Sequence, residues 1–597
     1  MSEGGTTAAR PDPVGRLLLG LAAVAVAFAA ADNYVVVLAL PDMMAASGLS
    51  AEDLQRGAPI ISGFLLGYIA MLPLIGRIAD LRGRVPVLVG CLLLFALGSL
   101  GTAAAYDLPS IVVGRLLQGV GAGGLLPATL ALVADLYPPR ERGVPLGVVG
   151  AVQELGNVVG PVFGAVVLVF GSWRTIFWIN LAVGLLLAAV IRRGAPRARA
   201  GLGAPPGPAR GGFDWLGAVL AAGGLAAVVL VMAQPARLVN GVTAGLAFVP
   251  VAGSSRWLSP LALAGLLLAV LLVARCLTAR APLLDLRTWA AVLREVDVVG
   301  ALYLGLTLAG VILAFAGADP EVQVFSRAGP WLLGGSAVAA VLFWRRNRSV
   351  DHPLVPPRAI TATPAWGAMV VSFFVGSALI AALVDIPIFA RITVYTDSQL
   401  MAALVLVRFL VGLPIGAFAG GWLTHRMAAG VVTATGMALS CAGFVWMSTW
   451  GLDSLSNPVA TVPLVLAGIG VGLAMAPVNA ALLSATDDSV HGVASALLVV
   501  ARTVGKLVGI SALTTIGLRR FYAEQEDLPA PKDVCPDGSS RCAEFTLVLR
   551  EAGLTQLQTI FLGAAVCCVI AGLVALVVFR HADTRRVPTP LLEAGIG

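Results

Sequence analysis

GRIADLRGR, residues 76–84, is a charged loop between two apolar runs, 58–76 and 85–105. Each run has the roughly 20 apolar residues that an α-helix needs to cross about 30 Å of hydrocarbon. Inside a bilayer the backbone amides must be satisfied within the segment, and an unbroken Ala/Leu/Val/Gly run achieves this as a helix. The stretch therefore predicts two membrane-spanning helices joined by a short polar loop.

Apolar runs of this kind recur along all 597 residues, of which 58% are apolar and only 12% charged, with a mean hydropathy of +0.92. Soluble domains carry about 25% charged residues. Sixteen spans are predicted in groups of six, four and six, with fourteen spans as the alternative. They lie at 17–41, 58–76, 85–105, 110–134, 144–170, 174–193, 214–233, 258–275, 297–316, 330–344, 364–390, 399–423, 428–449, 460–484, 492–518 and 556–580.

The predicted fold class is all-α and integral to the membrane, with two six-helix bundles and additional linker helices between them. A break rich in Arg, Gly and Pro at 192–212 separates the first group of spans from the second. We therefore expect an N-terminal bundle at 1–195, a linker region with two extra helix pairs at 196–360, and a C-terminal bundle at 361–597.

Arginines cluster in alternate loops, at 77–84, 140–142, 192–193, 275–287, 345–348, 426 and 580–586. Cytoplasmic loops carry the excess of basic residues, so these loops and both termini are predicted to be cytoplasmic in a multi-pass inner-membrane protein. The N-terminal run is too long for a cleaved signal peptide, and Asp32 lies too deep in it. The pI near 9.3 reflects the loop bias, and no basic stripe with interleaved aromatic residues indicates nucleic-acid binding.

Two internal repeats support this organisation. Residues 156–160 (GNVVG) and 505–509 (GKLVG) are 349 positions apart, and Gly143-Val144 and Gly492-Val493 share that offset. Parallel repeats of this size are typical of transporters built from two homologous six-helix halves. Residues 214–218 (DWLGA) resemble 297–301 (DVVGA), which indicates a duplicated central helix pair. Chance matching of low-complexity Ala/Gly/Leu helices is the alternative for both repeats.

Three motifs in the first half resemble those of the major facilitator superfamily: a loop after the second span, a fourth-helix motif and a fifth-helix antiporter motif. Their residues are Gly76, Arg77, Asp80, Arg82, Gly83 and Arg84; Arg115, Gln118 and Gly119; and Gly156, Asn157, Gly160 and Pro161. Small residues allow close helix approach, and Pro161 removes a backbone hydrogen bond so that its helix can bend. The loop glycines permit tight turns, and its charges can latch helix ends together.

The sequence resembles more narrowly the drug:proton antiporter branch with extra central helices, and within it the mycobacterial triacylglyceride exporters. The segments that carry this likeness are 32–37, 153–156, 177–180, 383–385, 491–495 and 499–502. The resemblance implies the major facilitator fold, and a periplasmic lipid-carrier lipoprotein as a partner. It also implies that long outer ends of the last two helices help hydrophobic cargo to leave the membrane. That family has one central helix pair where this chain has two.

Charged residues within the spans are candidates for function, because a charge at mid-membrane costs about 2.5–3.5 kcal/mol even on translocon-based scales. We expect Asp32 and Glu154 to carry protons, and the resemblance points to the same positions. The alternative is that either one is the permanently ionised partner of a nearby arginine. Arg502 is opposite Gln153 in the repeat, where its charge can bias Glu154. Further cavity charges are predicted at Asp385, Arg408 and Lys506, and the two basic residues either favour an amphiphile with an anionic head or pair with Asp385.

The longest hydrophilic stretch, 519–555, is predicted to be an external loop between the last two spans. It contains Cys535 and Cys542, and an oxidising exterior favours a disulfide between them.

Other chemistries lack their residues in this sequence. No phosphate-binding Gly-x-x-x-x-Gly-Lys-Ser/Thr stretch is present, and the four histidines are scattered without metal-ligand spacing, so neither ATP, a metal nor another cofactor is predicted. No catalytic constellation indicates an enzyme. The predicted function is proton-coupled export of hydrophobic or amphiphilic compounds, such as triacylglycerides, by alternating access. The alternatives are a broad-specificity multidrug:proton antiporter and a non-transporting receptor or scaffold.

Overall fold

The computed structural model describes residues 13–49, 57, 59–137, 143–201, 214–279, 282–316, 326, 328–351, 353–356, 360–396, 398–424, 426–487, 490–525 and 543–582. Sixteen long helices run through these residues, one for each predicted span. They are α1 (Pro13–Ala46), α2 (Pro59–Arg82), α3 (Arg84–Ala104), α4 (Leu108–Leu136), α5 (Gly143–Phe170), α6 (Trp173–Gly201), α7 (Trp215–Ala233), α8 (Pro260–Thr278), α9 (Val298–Ala316), α10 (Gly329–Ser349), α11 (Thr363–Ile392), α12 (Gln399–Thr424), α13 (Ala429–Met447), α14 (Thr461–Ser484), α15 (His491–Gln525) and α16 (Ala543–Val578).

Fifteen of these helices are long and apolar enough to cross a membrane, which confirms the all-α membrane fold. The sixteenth, α10, has 21 residues, but Arg345, Arg346 and Arg348 in its last turns leave it too polar by composition. It packs along α9. The sequence therefore predicted its helix correctly, while its hydropathy is the weakest of the set.

The first six and the last six helices form two bundles that use the same pairs of neighbours. In the first bundle, α1 packs on α5 and α6, α4 on α2 and α3, and α3 on α6. In the second, α11 packs on α15 and α16, α14 on α12 and α13, and α13 on α16. Helix by helix, the second bundle repeats the first.

Glycines at matching positions explain the closest of these contacts. A Cβ atom on Gly156 would lie 2.1 Å from the Ala27 carbonyl oxygen, and one on Gly505 would lie 2.0 Å from that of Phe373. Small residues allow membrane helices to approach until their backbones touch. The glycines found 349 residues apart in the sequence thus hold α5 against α1 and α15 against α11.

The two bundles meet at the end of the molecule that carries the 76–84 loop. A Cβ atom on Gly76 of α2 would lie 2.8 Å from the carbonyl oxygen of Gly492, in the first turn of α15. A Cβ atom on Gly147 of α5 would lie 2.9 Å from the carbonyl oxygen of Ala417 in α12. Two helix pairs, α2–α15 and α5–α12, therefore close the bundles against each other at this end.

The four central helices form two hairpins, and each hairpin has the same salt bridge between its two ends, which we call its charged bracket. Asp214 precedes α7 and pairs with Arg275 in the last turn of α8, at 3.2 Å. Asp297 precedes α9 and pairs with Arg346 in the last turn of α10, at 2.8 Å. Each aspartate also accepts a hydrogen bond from an amide in the first turn of the helix that follows it. This shared geometry supports a duplicated helix pair.

The hairpins occupy different places on the bundles. The α7–α8 pair touches α3 at the edge of the first bundle. In the second pair, α9 packs on both α2 and α15, across the line where the two bundles meet. A short helix, Leu286–Glu295, connects the hairpins.

The predicted external loop at 519–555 was too long at both ends. Residues 519–525 continue α15, and residues 543–555 belong to α16, so these helices have 35 and 36 residues. At 1.5 Å per residue each is about 50 Å long, well beyond the roughly 30 Å hydrocarbon core. Hydropathy marks where a helix leaves lipid but not where it ends. Cys535 and Cys542 lie outside the described residues, and their disulfide stays a prediction.

Candidate functional site

A buried ion pair joins two helices of the first bundle. The Asp32 side chain in α1 and the Arg115 side chain in α4 are both 0% exposed, and Arg115 Nη1 lies 2.6 Å from Asp32 Oδ2. The same nitrogen donates to Gln118 Oε1 at 2.7 Å. Asp32 is thus paired with an arginine in this conformation, and its role as a proton carrier stays a prediction. Two charges so far from water hold together only with close contact and further hydrogen bonds.

Those further hydrogen bonds come from three other helices. Asn180 of α6 donates to Asp32 Oδ1, and Arg115 Nε donates to the carbonyl oxygen of Ile60 in α2 at 3.3 Å. Gln118 Nε2 donates to Ser99 Oγ of α3 at 3.0 Å. The network therefore connects α1, α2, α3, α4 and α6, so a change in the charge of Asp32 would reach five of the six helices of the bundle.

Aromatic rings complete the surroundings of Arg115. Its guanidinium carbon lies 4.3 Å from the centre of the Phe64 ring and 5.8 Å from that of Phe177. An arginine stacked on an aromatic face in a dry environment gains about 2 kcal/mol or more. Arg115 Nη2 is buried and has no hydrogen-bond partner among the described residues. The site thus stabilises a positive charge while leaving one donor nitrogen unused.

A cavity lies between the two bundles. Its polar lining is Gln153 of α5, Asn479 of α14 and Arg502 of α15. Its apolar lining is Leu126, Leu130, Leu146, Met475, Ala476 and Val499, with Gly147 and Gly150. Four helices, two from each bundle, therefore face one another across this space, and Arg502 is the charged residue that lines it.

Arg502 and Gln153 meet in this cavity, as the repeat alignment suggested. Arg502 Nε also donates to Ser372 Oγ of α11 at 3.3 Å, and the Arg502 side chain is largely buried. Glu154 follows Gln153 in α5, but its side chain lies outside the described residues. Asn157, one turn further along α5, is buried. The structure therefore brings Arg502 to the segment that carries Glu154, and the proton-carrier role of Glu154 stays a prediction.

The three other predicted cavity charges are not joined. Asp385 is 4% exposed within α11, and no salt bridge connects it to Arg408 or Lys506 in the described part of the chain. Arg408 Nη1 donates instead to Thr461 Oγ1 in α14 at 3.2 Å. Lys506 is partly exposed on α15. The pairing with Asp385 that was considered for these basic residues is therefore wrong in this conformation.

The 76–84 loop motif holds the closed end together. Asp80 accepts a hydrogen bond from Arg84, whose Nε lies 3.4 Å from Asp135 Oδ2 at the end of α4. A Cβ atom on Gly492 would lie 2.6 Å from Asp80 Oδ1, so Asp80 touches the first turn of α15, where the helix dipole favours a negative charge. Gly83, the single residue between α2 and α3, has φ +92°, a conformation that favours glycine.

Arg82 of the same loop extends the contact to the linker region. Its Nη2 lies 3.5 Å from Asp285 Oδ2, and its guanidinium carbon lies 5.7 Å from the Trp289 ring centre. A hydrogen bond from the Thr288 hydroxyl, helped by the Thr288 amide and by Arg82, holds the pKa of Asp285 below its ordinary value. The short helix Leu286–Glu295 is thereby attached to the loop. No sequence pattern had linked these two segments.

Sequence reasoning assigned no role to Asn180 and Ser99. Asn180 lies in a segment, 177–180, that carried the family resemblance, and an amide within an apolar span is itself a signal, since polar side chains there usually find buried partners. Ser99 offers a weaker signal. A serine in a membrane helix commonly bonds its own backbone, and Ser99 Oγ does donate to the Phe95 carbonyl oxygen at 2.8 Å.

Comparisons with known proteins agree with this geometry. The sequence matches the Major Facilitator Superfamily profile over residues 22–318. A triacylglyceride transporter of Mycolicibacterium smegmatis is 32% identical over 587 residues, which cover 95% of this chain and 88% of the relative. A triacylglyceride transporter of Mycobacterium tuberculosis strain H37Rv is 31% identical over 592 residues, covering 96% of each protein.

Among solved structures, the human organic anion transporter MFSD10 shares the fold, with a TM-score of 0.50 at 14% identity over 93% of this chain and 100% of that chain. The relatives and the fold are those of membrane transporters rather than enzymes. The chain belongs to the Major Facilitator Superfamily, in the family of the mycobacterial triacylglyceride transporters.

Proposed function

We propose that this protein is a proton-coupled exporter that moves hydrophobic or amphiphilic compounds, triacylglycerides among them, out of the cytoplasmic membrane by alternating access. The observation that carries the proposal is the Asp32–Arg115 pair, a titratable carboxylate buried at the centre of a helix network. Family relatives named triacylglyceride transporters supply the substrate class.

Proton binding at Asp32 would change the packing of the first bundle. A neutral Asp32 loses most of its attraction to Arg115, and the guanidinium is then left buried without a counter-charge. The response that costs the least free energy is a movement of α1 relative to α4. Such a movement either exposes Arg115 to water or restores a negative charge beside it. Because Asn180 and Gln118 share the network, α6 and the rest of α4 follow. Proton occupancy and helix position are coupled in this way.

The second carrier in the proposal is Glu154, with Arg502 as the residue that controls it. Arg502 lines the same cavity as Gln153, the residue before Glu154. A cation near a carboxylate favours its ionised form, and in this proposal separation of the two bundles would remove that influence from Glu154. Movement of the bundles would therefore change the proton affinity of Glu154, as a coupled antiporter requires.

Substrate would enter between the bundles once they separate, because the cavity there has a volume of only about 10 Å³ in this state. The cavity walls are mainly aliphatic, from Leu126 and Leu130 on one side to Met475 and Val499 on the other. Such walls suit acyl chains, and they also suit lipophilic drugs, so a broad multidrug:proton antiporter remains the second candidate. Arg502 would attract an amphiphile with an anionic head.

The sidedness follows from the arginine-rich loops, which we assign to the cytoplasm together with both termini. The end where α2 meets α15 is then cytoplasmic, and the structure represents a state closed on that side. The long outer ends of α15 and α16 would stand in the periplasm, where a lipid-carrier lipoprotein could receive the cargo.

Transport in proteoliposomes tests the proposal. Vesicles carry a fluorescent triacylglyceride or a cationic dye, an inward proton gradient is imposed, and release to an external acceptor is followed. Asp32→Asn and Glu154→Gln are compared with wild type. Asp297→Asn is the matched control, since it neutralises a buried aspartate that pairs with an arginine outside the two bundles.

We expect gradient-driven lipid release by wild type and by Asp297→Asn, and its loss in both other variants. Gradient-driven movement of the dye without movement of the lipid would mean that the protein is a multidrug efflux transporter and not a lipid exporter. Lipid release that ignores the gradient, or that survives both substitutions, would refute proton coupling through these carboxylates.

A further inference from the structure

A second cavity, of about 450 Å³, lies at the end of the first bundle opposite the 76–84 loop. Its walls come from the end of α3 and the two residues after it (Ala103, Ala104, Ala105 and Tyr106), the start of α6 (Arg174 and Trp178) and the end of α7 (Met232 and Ala233). We refer to it as the α3–α6–α7 cavity. It is separate from the cavity between the bundles and from the Asp32–Arg115 network.

Arg174 lines the α3–α6–α7 cavity, and Arg256 lies beside it, in contact with two of its lining residues, Tyr106 and Met232. Arg174 Nη2 donates to the Ala105 carbonyl oxygen at 3.0 Å, and its guanidinium carbon lies 4.3 Å from the Trp173 ring centre. Arg256 comes from the segment between α7 and α8. Its Nη1 donates to the carbonyl oxygen of Met232 at 3.1 Å, and its guanidinium carbon lies 3.7 Å from the ring centre of Tyr106.

Neither guanidinium forms a salt bridge with an acid among the residues that the structure describes. The acidic residue next to Tyr106, Asp107, is engaged elsewhere, because its carboxylate accepts the Ser110 amide at 2.9 Å as the cap of α4. Backbone carbonyls and ring faces fix the direction of both arginines but leave their charge unbalanced.

The cavity opens toward lipid rather than toward the interior of a bundle. Only Gly217, Ala227, Val231 and Met232 of α7 are buried, and the other apolar residues of that helix are half-buried or exposed. Trp178 is 44% exposed on the cavity wall, and Trp257 donates to the Tyr106 hydroxyl at 3.1 Å. Aromatic residues of this kind mark the level of lipid headgroups. Positive charge thus lies at headgroup depth, above a groove of small and apolar side chains.

We propose that the α3–α6–α7 cavity binds an anionic phospholipid. The phosphate lies between Arg174 and Arg256, which suit it because guanidinium groups bind phosphate oxygens in a bidentate geometry. The acyl chains lie in the groove between α3 and α7. The lipid holds the α7–α8 hairpin, which has few protein contacts of its own, against the first bundle. This role does not depend on which compound the protein transports.

Lipid binding to the purified full-length protein tests the site. The dissociation constant of the first bound lipid is measured by native mass spectrometry for phosphatidylglycerol and for phosphatidylcholine with the same acyl chains. Excess inorganic phosphate and the chain-free headgroup glycerophosphoglycerol are added as competitors. Variants are Arg174→Gln, Arg256→Gln, both together, and the doubly conservative Arg174→Lys with Arg256→Lys. Arg237→Gln is the control, because Arg237 is exposed in the same connecting segment and, unlike Arg256, has no hydrogen bond or ring contact to a lining residue among the residues described.

We expect phosphatidylglycerol to bind more tightly than phosphatidylcholine, with affinity falling about five-fold for each arginine removed and about 25-fold for both. The lysine variant should keep most of the affinity, and Arg237→Gln should behave as wild type. Equal dissociation constants of wild type for phosphatidylglycerol and phosphatidylcholine would be enough to overturn the proposal, whatever the variants show. So would a double glutamine variant that binds within two-fold of wild type, or displacement of lipid by free phosphate, which would identify a site for soluble anions.

Discussion

Removal of the Asp32 charge alone should be among the most destabilising conservative substitutions in this protein. In Asp32→Asn the volume and one acceptor oxygen are kept, but Arg115 becomes an uncompensated cation in a site where its side chain is 0% exposed. Breaking a buried pair by removing one partner costs about 3–5 kcal/mol. Since Asn180 also loses a charged acceptor for its amide, we expect a loss in the upper part of that range.

The free energy of unfolding is measured by titration of detergent-solubilised protein with sodium dodecyl sulfate, for Asp32→Asn, Arg115→Gln and the double variant. The double variant should lose less than the sum of the single losses, by about 2–3 kcal/mol, because it leaves no buried unpaired charge. Asp297→Asn is the control. It keeps an acceptor for the Gly300 amide, and its partner Arg346 is 39% exposed, so its loss should be about 1 kcal/mol or less.

An Asp32→Asn variant no less stable than Asp297→Asn would refute this reasoning. It would mean that Asp32 is already protonated in the state described, and that the contact with Arg115 is a hydrogen bond rather than an ion pair. Strictly additive losses in the double variant would also contradict it, because the two side chains would then act independently.

Three further predictions concern the closed end. Gly492→Ala places a Cβ 2.6 Å from Asp80 Oδ1, so the distance between spin labels on α5 and α12 should increase at that end. Gly150→Ala is the control, because a Cβ there has nothing within 4 Å and should leave that distance unchanged. Arg82→Gln should cost at most about 1 kcal/mol, because its partner Asp285 is 49% exposed. The pKa of Asp285 is lowered, so its contribution is present above pH about 4 and is lost as the pH falls further; the protection factors for hydrogen exchange of residues 286–295, which correct for the slower intrinsic exchange in acid, should fall on acidification. Gly83→Ala forces a side chain into φ +92° and should cost about 1–2 kcal/mol in the same unfolding titration; an unchanged midpoint would contradict the strain.

Hydropathy was sufficient to predict all sixteen helices, because a lipid environment imposes the same requirement on each. Helix ends were less predictable. Polar residues such as Arg519 and Glu551 can continue a helix beyond the bilayer, which is why the predicted loop at 519–555 was too long. The small residues of the fifth-helix motif predicted close helix approach around Gly156, and the repeat places a glycine, Gly505, at the matching position of the second half, where the backbones also touch.

The sequence could not predict which charged residues pair with each other across the fold. Asp32 was singled out as a buried charge, but its partner Arg115 lies 83 residues away on another helix, and several arginines were equally eligible. The Arg82–Asp285 contact depends on where the linker folds back, which no local pattern determines. Charged residues in membrane spans therefore indicate where function lies, whereas their pairings are set by tertiary packing.

The charged brackets of the two central hairpins have a consequence for how the number of membrane spans in such a protein can change. Asp214 pairs with Arg275, and Asp297 with Arg346, so the buried aspartate of each hairpin has its partner within the same hairpin and needs none from the bundles. A chain that crosses the bilayer twice also returns to the side from which it left. A gene segment that encodes one hairpin can therefore be copied or deleted without inverting the second bundle, and the number of spans in this lineage is free to vary in steps of two.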